Sequence, residues 1–402
     1  MKSRFTMLGK LFLQRTCYSG FFVPAHSLRR SNLVFKRLTG SCQGNLEKNC
    51  FKKKDDLNFP EKTVTFYSCE NIYEKWKKQR KFYRIPKSGI FANIHYVDTF
   101  EPKSNNDGKQ PLTVMCIHGI PGNYGVFSHL IKALADNGVR VIVPNFPGTL
   151  FLPGKHKKEL FRHSVEEKAQ VFKDFLKALN VSEVDCIVAH SSGIYPALQL
   201  VLDPALKVKC QVFFNTGGHK ATVTMKPYWI IWTCTYLYLN PLGRIFIQKA
   251  GRFIMKYILR TPIRDDNIDG ISLLAVTMIF SQFWKTKEIF IDIAKKSIPT
   301  LYCFSEDDKV VEKELTYEIL SLLGASKENV NYYDEEGTIK KKGRDLPWLK
   351  LLSFKEGSHY VFRKHPEICN EKVLELLKQI KHSSRACPEN NEANINMPSK
   401  FM

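Results

Sequence analysis

The sequence predicts an α/β fold built on a mostly parallel, doubly wound sheet. Short apolar runs alternate with helical segments, in the order strand 112–118, helix 125–137, strand 139–144, helix 164–179, strand 183–190, helix 194–202 and strand 208–215. Alternation of this kind is typical of parallel βαβ units, in which helices cover both faces of the sheet. Residues 63–67 and 90–99 precede it and are predicted to be leading antiparallel strands.

The predicted strand at 183–190 leads into a serine that is flanked by small residues. Ser191 has Ala189 two positions before it and Gly193 two positions after it, and an apolar helix follows. A tight strand-to-helix turn leaves almost no room for side chains at those two positions. Centring the turn on Ser192 would put bulkier residues there. The pattern therefore indicates a nucleophile elbow on Ser191, and a polar helix N-cap is the structural alternative.

Three more predicted strands end in residue types that assist a serine nucleophile. These endings are His-Gly-Ile-Pro-Gly at 118–122, Ser-Glu-Asp-Asp at 305–308 and Gly-Ser-His at 357–359. A serine hydroxyl is a weak nucleophile at neutral pH, so a histidine must take its proton and a carboxylate must orient that histidine. Together these residue types point to acyl transfer.

In this chain order the four motifs resemble those of the α/β-hydrolase superfamily, and they are closest to its capped serine hydrolases of the HGxPG type. The resemblance covers about residues 60–381. Epoxide hydrolases and haloalkane dehalogenases share the HGxP loop but attack with an aspartate, so the serine at the elbow argues against both. The resemblance implies a catalytic triad and two oxyanion-binding backbone amides: Ser191, Asp308 and His359, with the amides of Ile120 and Ser192.

Two positions depart from the family's pattern. Ala189 stands where the elbow usually has glycine, and Ser305 replaces the glycine of the acid motif. Counting from Ser305 selects Asp308 as the acid, and Asp307 stays open as the alternative. These departures keep a second hypothesis in view, namely a non-catalytic binding or scaffolding protein that has kept the fold.

Residues 217–298 interrupt the alternation, and the resemblance implies a helical cap inserted here, after the sixth strand. Its first part, 227–243, has no charged residue and is rich in Trp and Tyr. That part is short for a membrane-spanning helix of about 20 residues. We expect Trp229, Trp232 and Tyr236 to bind an apolar, lipid-like acyl substrate, with peripheral membrane contact through the cap. Packing of these rings onto the core is the alternative.

The rest of the chain divides around this insertion. An α/β-hydrolase core is predicted for residues 56–216 and 299–381. Between the acid and the histidine, residues 326–347 are polar and are predicted to form a solvent-exposed loop. The tail at 382–402 is rich in Asn, Ser and Glu, which predicts disorder.

The net charge of +22 is concentrated at the N-terminus. Residues 1–54 hold twelve Lys or Arg and one acid, Glu47, so half of the charge lies in this segment. Spaced basic residues, scattered hydroxyl residues and a near absence of acids are typical of a mitochondrial transit peptide, which we predict for residues 1–55. A basic tail or membrane-surface anchor on a cytoplasmic protein is the alternative. No nucleic-acid-binding motif accompanies the charge, so nucleic acid is not an expected partner.

The eleven cysteines are scattered, without a CxxC pair or a His/Cys ligand spacing. An odd number without a framework favours a reducing compartment. No metal or cofactor is expected, and the predicted partner is a small-molecule acyl substrate. The sequence does not indicate an oligomeric state.

Overall fold

The computed structural model describes residues 59–81, 85–100, 111–120, 122–146, 161–253 and 275–385. The predicted transit peptide at 1–55 lies outside the described residues, so it stays a prediction. The disordered tail predicted for 382–402 is wrong at its start, because residues 382–385 are helical, and residues 386–402 lie outside the described residues.

Ten strands in the described ranges form one sheet. In chain order they are β1 (Glu61–Ser68), β2 (Ile90–Asp98), β3 (Thr113–Ile117), β4 (Arg140–Pro144), β5 (Cys186–His190), β6 (Cys210–Phe214), β7 (Thr300–Ser305), β8 (Val330–Tyr333), β9 (Ile339–Lys341) and β10 (Leu349–Phe354). Their order across the sheet is β1-β2-β4-β3-β5-β6-β7-β10-β8-β9. The strands from β4 to β8 in this order are parallel, and the pairs at the two ends are antiparallel. This confirms the predicted α/β fold class and the leading antiparallel strands.

Helices cover both faces of the sheet. They are α1 (Glu70–Lys78), α2 (Ser128–Asp136), α3 (Val165–Ala178), α4 (Ile194–Val201), α5 (Tyr228–Leu239), α6 (Pro241–Phe253), α7 (Thr286–Lys296), α8 (Lys313–Leu322), α9 (Val361–Lys364) and α10 (Pro366–Arg385). Along β3, Met115 and Ile117 join the apolar cluster beneath α3 and α4, whereas Val114 and Cys116 join the cluster beneath α2 and α10. Because side chains alternate along a strand, a strand buried on both faces is apolar throughout.

The start of α3 shows how local sequence fixes a boundary. The Ser164 hydroxyl accepts from the amide of Glu167, and the Glu167 carboxylate accepts in return from the amide of Ser164. This capping box satisfies backbone donors that the first helical turn would otherwise leave without partners. The helix therefore begins where the sequence predicts, close to residue 164.

The chain between β6 and β7 contains α5, α6, a helical stretch at 275–280, and α7. We call residues 217–298 the insert. Tyr238 and Leu239 of α5 pack with Val276 in a small apolar cluster of their own. None of the helices in the described ranges combines the length and apolar character that a membrane crossing requires.

The prediction of an exposed loop at 326–347 is wrong, because two strands lie there. β8 pairs in parallel with β10, and β9 pairs antiparallel with β8 at the sheet edge. All three residues of β9 are exposed, and two are lysines. Charged edge strands are common because lysine discourages pairing with another chain, and that polarity makes the strand resemble a loop in sequence.

Candidate active site

Three residues from the strand-end motifs meet at one edge of the sheet. Ser191 follows β5, Asp308 lies three residues beyond β7, and His359 lies five residues beyond β10. All three strands belong to the parallel part of the sheet, so their carboxyl ends lie on the same side. This edge is where open α/β sheets usually carry their sites.

Ser191 occupies a strained turn. Its φ angle of 53° lies in the left-handed region, and a short 3-10 turn at 191–193 leads directly into α4. A Cβ on Gly119 would come 2.6 Å from the Cβ of Ser191, and a Cβ on Gly193 would collide with the Ile117 carbonyl. Gly119 therefore leaves room for Ser191, and Gly193 lets the turn lie against the end of β3, as a tight elbow requires.

A chain of hydrogen bonds links the three residues. The Ser191 hydroxyl donates to Nε2 of His359 over 2.9 Å. The Nδ1–H of His359 donates to Oδ2 of Asp308, also over 2.9 Å. Ser191 is partly exposed, whereas His359 and Asp308 are buried. In this tautomer His359 can accept the hydroxyl proton, which is the geometry of a general base.

The Asp308 carboxylate is surrounded by donors. Its Oδ1 accepts from the amides of Val310 (2.7 Å) and Val311 (3.1 Å). Its Oδ2 accepts from Nδ2 of Asn215 (2.8 Å) as well as from His359. These bonds fix the carboxylate and hence the plane of the imidazole.

Asp307 has a different set of contacts. Its Oδ1 accepts from the amides of Gly357 (2.9 Å) and Ser358 (2.8 Å). The Ser305 hydroxyl donates to the Ser358 carbonyl, so the residue that replaces the family's glycine also contacts this loop. Asp307 and Ser305 hold the loop that carries His359, and Asp308 contacts the imidazole itself.

Two buried histidines form hydrogen bonds to the backbone around the site. The His190 ring lies 4.8 Å from the His359 ring, and its Nε2–H donates to the His359 carbonyl (2.9 Å). His118 donates from Nδ1 to the carbonyl of Gly119 (2.7 Å) and accepts at Nε2 from the amide of Phe146 (3.3 Å). Burial lowers the pKa of His118 to about 4 and holds the pKa of His190 well below its usual range. Both rings are therefore neutral near pH 7.

The predicted oxyanion site has an internal occupant. The Ile120 amide donates to the Ser192 hydroxyl at 3.0 Å. To bind an oxyanion, the Ile120 amide would have to release the Ser192 hydroxyl or share its hydrogen between the two oxygens. The hydroxyl of Ser192 therefore competes for the amide that the resemblance assigns to the oxyanion.

Residues 76–381 match the family model described as "Alpha/beta hydrolase of unknown function (DUF1057)". The chain belongs to this family. An uncharacterized protein of Caenorhabditis elegans, F35H12.5, is 22% identical over 296 residues, which span 69% of this chain and 79% of that protein.

Among solved structures, similarity is found to a thermophilic esterase from Thermogutta terrifontis, with 14% identity, 72% and 94% of the two chains covered, and a TM-score of 0.47. A structure from a study of carboxylesterases of Nitrososphaera gargenis matches with 14% identity, 75% and 100% coverage, and a TM-score of 0.48. At these identities nothing about a reaction transfers to this α/β-hydrolase.

The aromatic residues predicted to bind substrate lie at the surface of this α/β-hydrolase. Trp229, Trp232 and Tyr236 are 67%, 38% and 57% exposed. The rings of Trp232 and Tyr236 stack on each other with their centroids 5.8 Å apart. The substrate-binding role of all three stays a prediction.

Two residues at the site of this α/β-hydrolase were not predicted from the sequence. Asn215 follows β6 directly and bonds the Asp308 carboxylate; its position after a parallel strand was the available signal. Lys168 of α3 is 3% exposed, with Nζ 3.5 Å from the Thr277 hydroxyl and 4.6 Å from the centroid of Phe146. Burial lowers the pKa of Lys168 to about 7. A lysine on an amphipathic helix gave no sign that it would be buried.

Proposed function

We propose that this α/β-hydrolase is a serine hydrolase that cleaves an ester or related acyl bond of an apolar substrate. The observation that carries the proposal is the pair of 2.9 Å hydrogen bonds from Ser191 to His359 and from His359 to Asp308. Nucleophile, base and orienting acid are thus in contact before any substrate binds. This arrangement activates a serine whatever acyl group is transferred.

The reaction proceeds in two halves. His359 Nε2 takes the hydroxyl proton while Ser191 Oγ bonds to the acyl carbon, and the carbonyl oxygen becomes an oxyanion facing the amides of Ile120 and Ser192. The proton passes from His359 to the leaving group as the acyl bond breaks, which leaves an ester on Ser191. Water then gives a proton to His359 and attacks that ester, and the acid departs as the proton returns to Ser191.

An apolar substrate is supported by the composition of the insert. The twelve residues of α5 have no charge, and five of them are Tyr or Trp. Apolar and aromatic side chains are the usual lining of sites for small apolar ligands. We propose that Trp232 and Tyr236 contact the acyl chain.

Labelling with a fluorophosphonate probe tests the proposal without knowledge of the substrate, because the probe reacts with activated serines. Wild-type protein is expected to label, and Ser191→Ala to lose labelling together with hydrolysis of a short-chain ester by on the order of 10⁴–10⁶. Ser192→Ala is the matched control, since it removes the neighbouring hydroxyl and leaves the triad intact. Labelling that persists in Ser191→Ala would assign the reaction to another residue.

One observation favours the non-catalytic alternative. The Ile120 amide is engaged by Ser192 instead of being directed at an open oxyanion position. A non-catalytic protein would fail to label in both the wild type and Ser192→Ala. Labelling restored by Ser192→Ala alone would instead identify Ser192 as the blocking group on a competent triad.

A further inference from the structure

The exposed apolar side chains are concentrated on the insert. Of the twelve large hydrophobic side chains exposed in the described part of the chain, nine lie between residues 223 and 284. Single exposed apolar residues are normal on any protein, but a concentrated group marks an interaction surface.

The α6 helix carries its apolar stripe on the outside. Four apolar residues of α6 lie on one side of the helix, because they are spaced three, one and seven residues apart: Leu242, Ile245, Phe246 and Phe253. They are 80%, 52%, 64% and 57% exposed. A helix at the surface of a globular protein normally turns such a stripe toward the core. Here the stripe is exposed in the part of the chain that the structure describes.

Two more exposed aromatic side chains lie on other parts of the insert. Trp229 of α5 is 67% exposed and Trp284 is 51% exposed. The ring of Tyr228, next to Trp229, packs on Phe283 with centroids 5.6 Å apart, and this contact brings Trp284 close to the start of α5. We call the exposed apolar residues of α6 together with these two tryptophans the apolar face.

The charge of the same segments is mainly positive. Residues 219–253 and 275–290 contain seven Lys or Arg and one acid, Glu288. Lys249, Lys285 and Lys287 are exposed. The other two lysines are paired with Glu318 of α8 and with Glu312, which precedes α8. The apolar face is therefore accompanied by a net positive charge.

We propose that the apolar face docks on the surface of an anionic phospholipid bilayer. A helix with an outward apolar stripe and basic residues beside it lies in the plane of a membrane interface, with its apolar side among the acyl chains. Tryptophan favours that depth, and each lysine near the surface gains from anionic headgroups. A second copy of this chain fits less well, since two surfaces of the same sign would meet. The inference deepens the proposed function, because a bilayer would present an apolar acyl substrate next to the insert.

Sedimentation with vesicles tests the docking, using the full chain with phosphatidylcholine alone and with added phosphatidylserine. We expect binding to the anionic vesicles, weakening as salt rises. The double variant Ile245→Glu with Phe246→Glu should reduce the partition coefficient about tenfold or more. The matched control, Tyr67→Glu with Phe91→Glu, changes two exposed aromatic residues on β1 and β2 and should bind as the wild type does.

A second pair of variants tests the charge without touching apolar residues. Lys249→Gln with Lys285→Gln should reduce binding to anionic vesicles roughly tenfold at low salt and leave binding to phosphatidylcholine unchanged. Lys132→Gln with Lys177→Gln removes two exposed lysines from α2 and α3 as the control. Melting temperatures establish that each variant is folded.

Several results would overturn the proposal. Equal binding of all variants would show that the basic N-terminal segment holds the chain on the vesicle, and absence of binding to anionic vesicles would also contradict the proposal. Elution of the wild type as a dimer and of the Ile245 and Phe246 variant as a monomer would identify a second copy as the occupant. Ser191→Ala separates this proposal from the proposed function, since it should bind vesicles normally and fail to label.

Discussion

Replacing Asp308 by asparagine should inactivate the protein, because the new side chain has only one acceptor oxygen. Asp308 accepts from two backbone amides at Oδ1 and from Asn215 and His359 at Oδ2. If the asparagine oxygen keeps the amides of Val310 and Val311, its NH₂ group faces the Nδ1–H of His359. The imidazole must then shift its proton to Nε2, where it can no longer accept from Ser191.

The size of this effect follows from the loss of the correct tautomer. An asparagine in place of the triad acid lowers turnover by about 10⁴ where the geometry is otherwise kept. Asp307 is the natural comparison, because among the described residues only its Oδ1 is engaged, by the amides of Gly357 and Ser358. An asparagine oxygen can accept both bonds, and the exchange of a charged for a neutral acceptor costs about 1 kcal/mol, or roughly fivefold.

Both variants can be compared by kcat/KM on a 4-nitrophenyl ester and by the rate of fluorophosphonate labelling. Melting temperatures of the variants control for unfolding. We expect a loss of about 10⁴ for Asp308→Asn and at most about tenfold for Asp307→Asn. Equal losses, or a larger loss for Asp307→Asn, would refute the assignment of Asp308 as the orienting acid.

Three further outcomes are expected. Ser192→Ala should raise the labelling rate by roughly fivefold, since it frees the Ile120 amide from one hydrogen bond. A fall of more than tenfold would mean that the Ser192 hydroxyl helps to stabilise the oxyanion. In the folded state the pKa of Lys168 is about 7, below its ordinary value of 10.5. The free-energy cost of burying the charged lysine is therefore complete below pH 7, and it falls toward zero as the pH rises to 10.5, because the folded state binds fewer protons in that range. In urea denaturation, Lys168→Met should therefore raise the free energy of unfolding by on the order of a few kcal/mol at pH 6 and by far less at pH 10. Equal gains at the two pH values would contradict this. Changing Trp232 and Tyr236 to alanine should lower kcat/KM selectively for long acyl esters, by up to fourfold per contacted methylene; a uniform loss with a lowered melting temperature would make both rings structural.

The strands and the elbow could be predicted because their causes are local. Apolar runs, the small residues at 189 and 193, and the strand-to-helix change at Ser191 all lie within a few residues of what they determine. Local sequence was misleading at β9, whose charged residues resemble a loop. Only pairing with β8 makes that segment a strand.

The choice between Asp307 and Asp308 shows where local information ends. The two neighbouring carboxylates contact different parts of a loop about 50 residues away: Asp307 accepts from its backbone amides, and Asp308 accepts from the His359 ring. Asn215 reaches the same carboxylate from a third strand, across 93 residues. Such contacts depend on the order and register of strands across the sheet, which no short motif records.

By itself, the sequence determined the α/β fold class, the position of the elbow and the residue types of the candidate triad, because periodicity and turn sterics act over short stretches of chain. Tertiary structure alone decided which acid contacts His359, that the Ile120 amide is held by Ser192, that Lys168 is buried and that α6 turns its apolar stripe outward. The physical reason is the same in each case. Hydrogen bonding and burial depend on which residues the packed sheet and the insert bring into contact. When those residues are far apart in the sequence, no short stretch of chain indicates the contact.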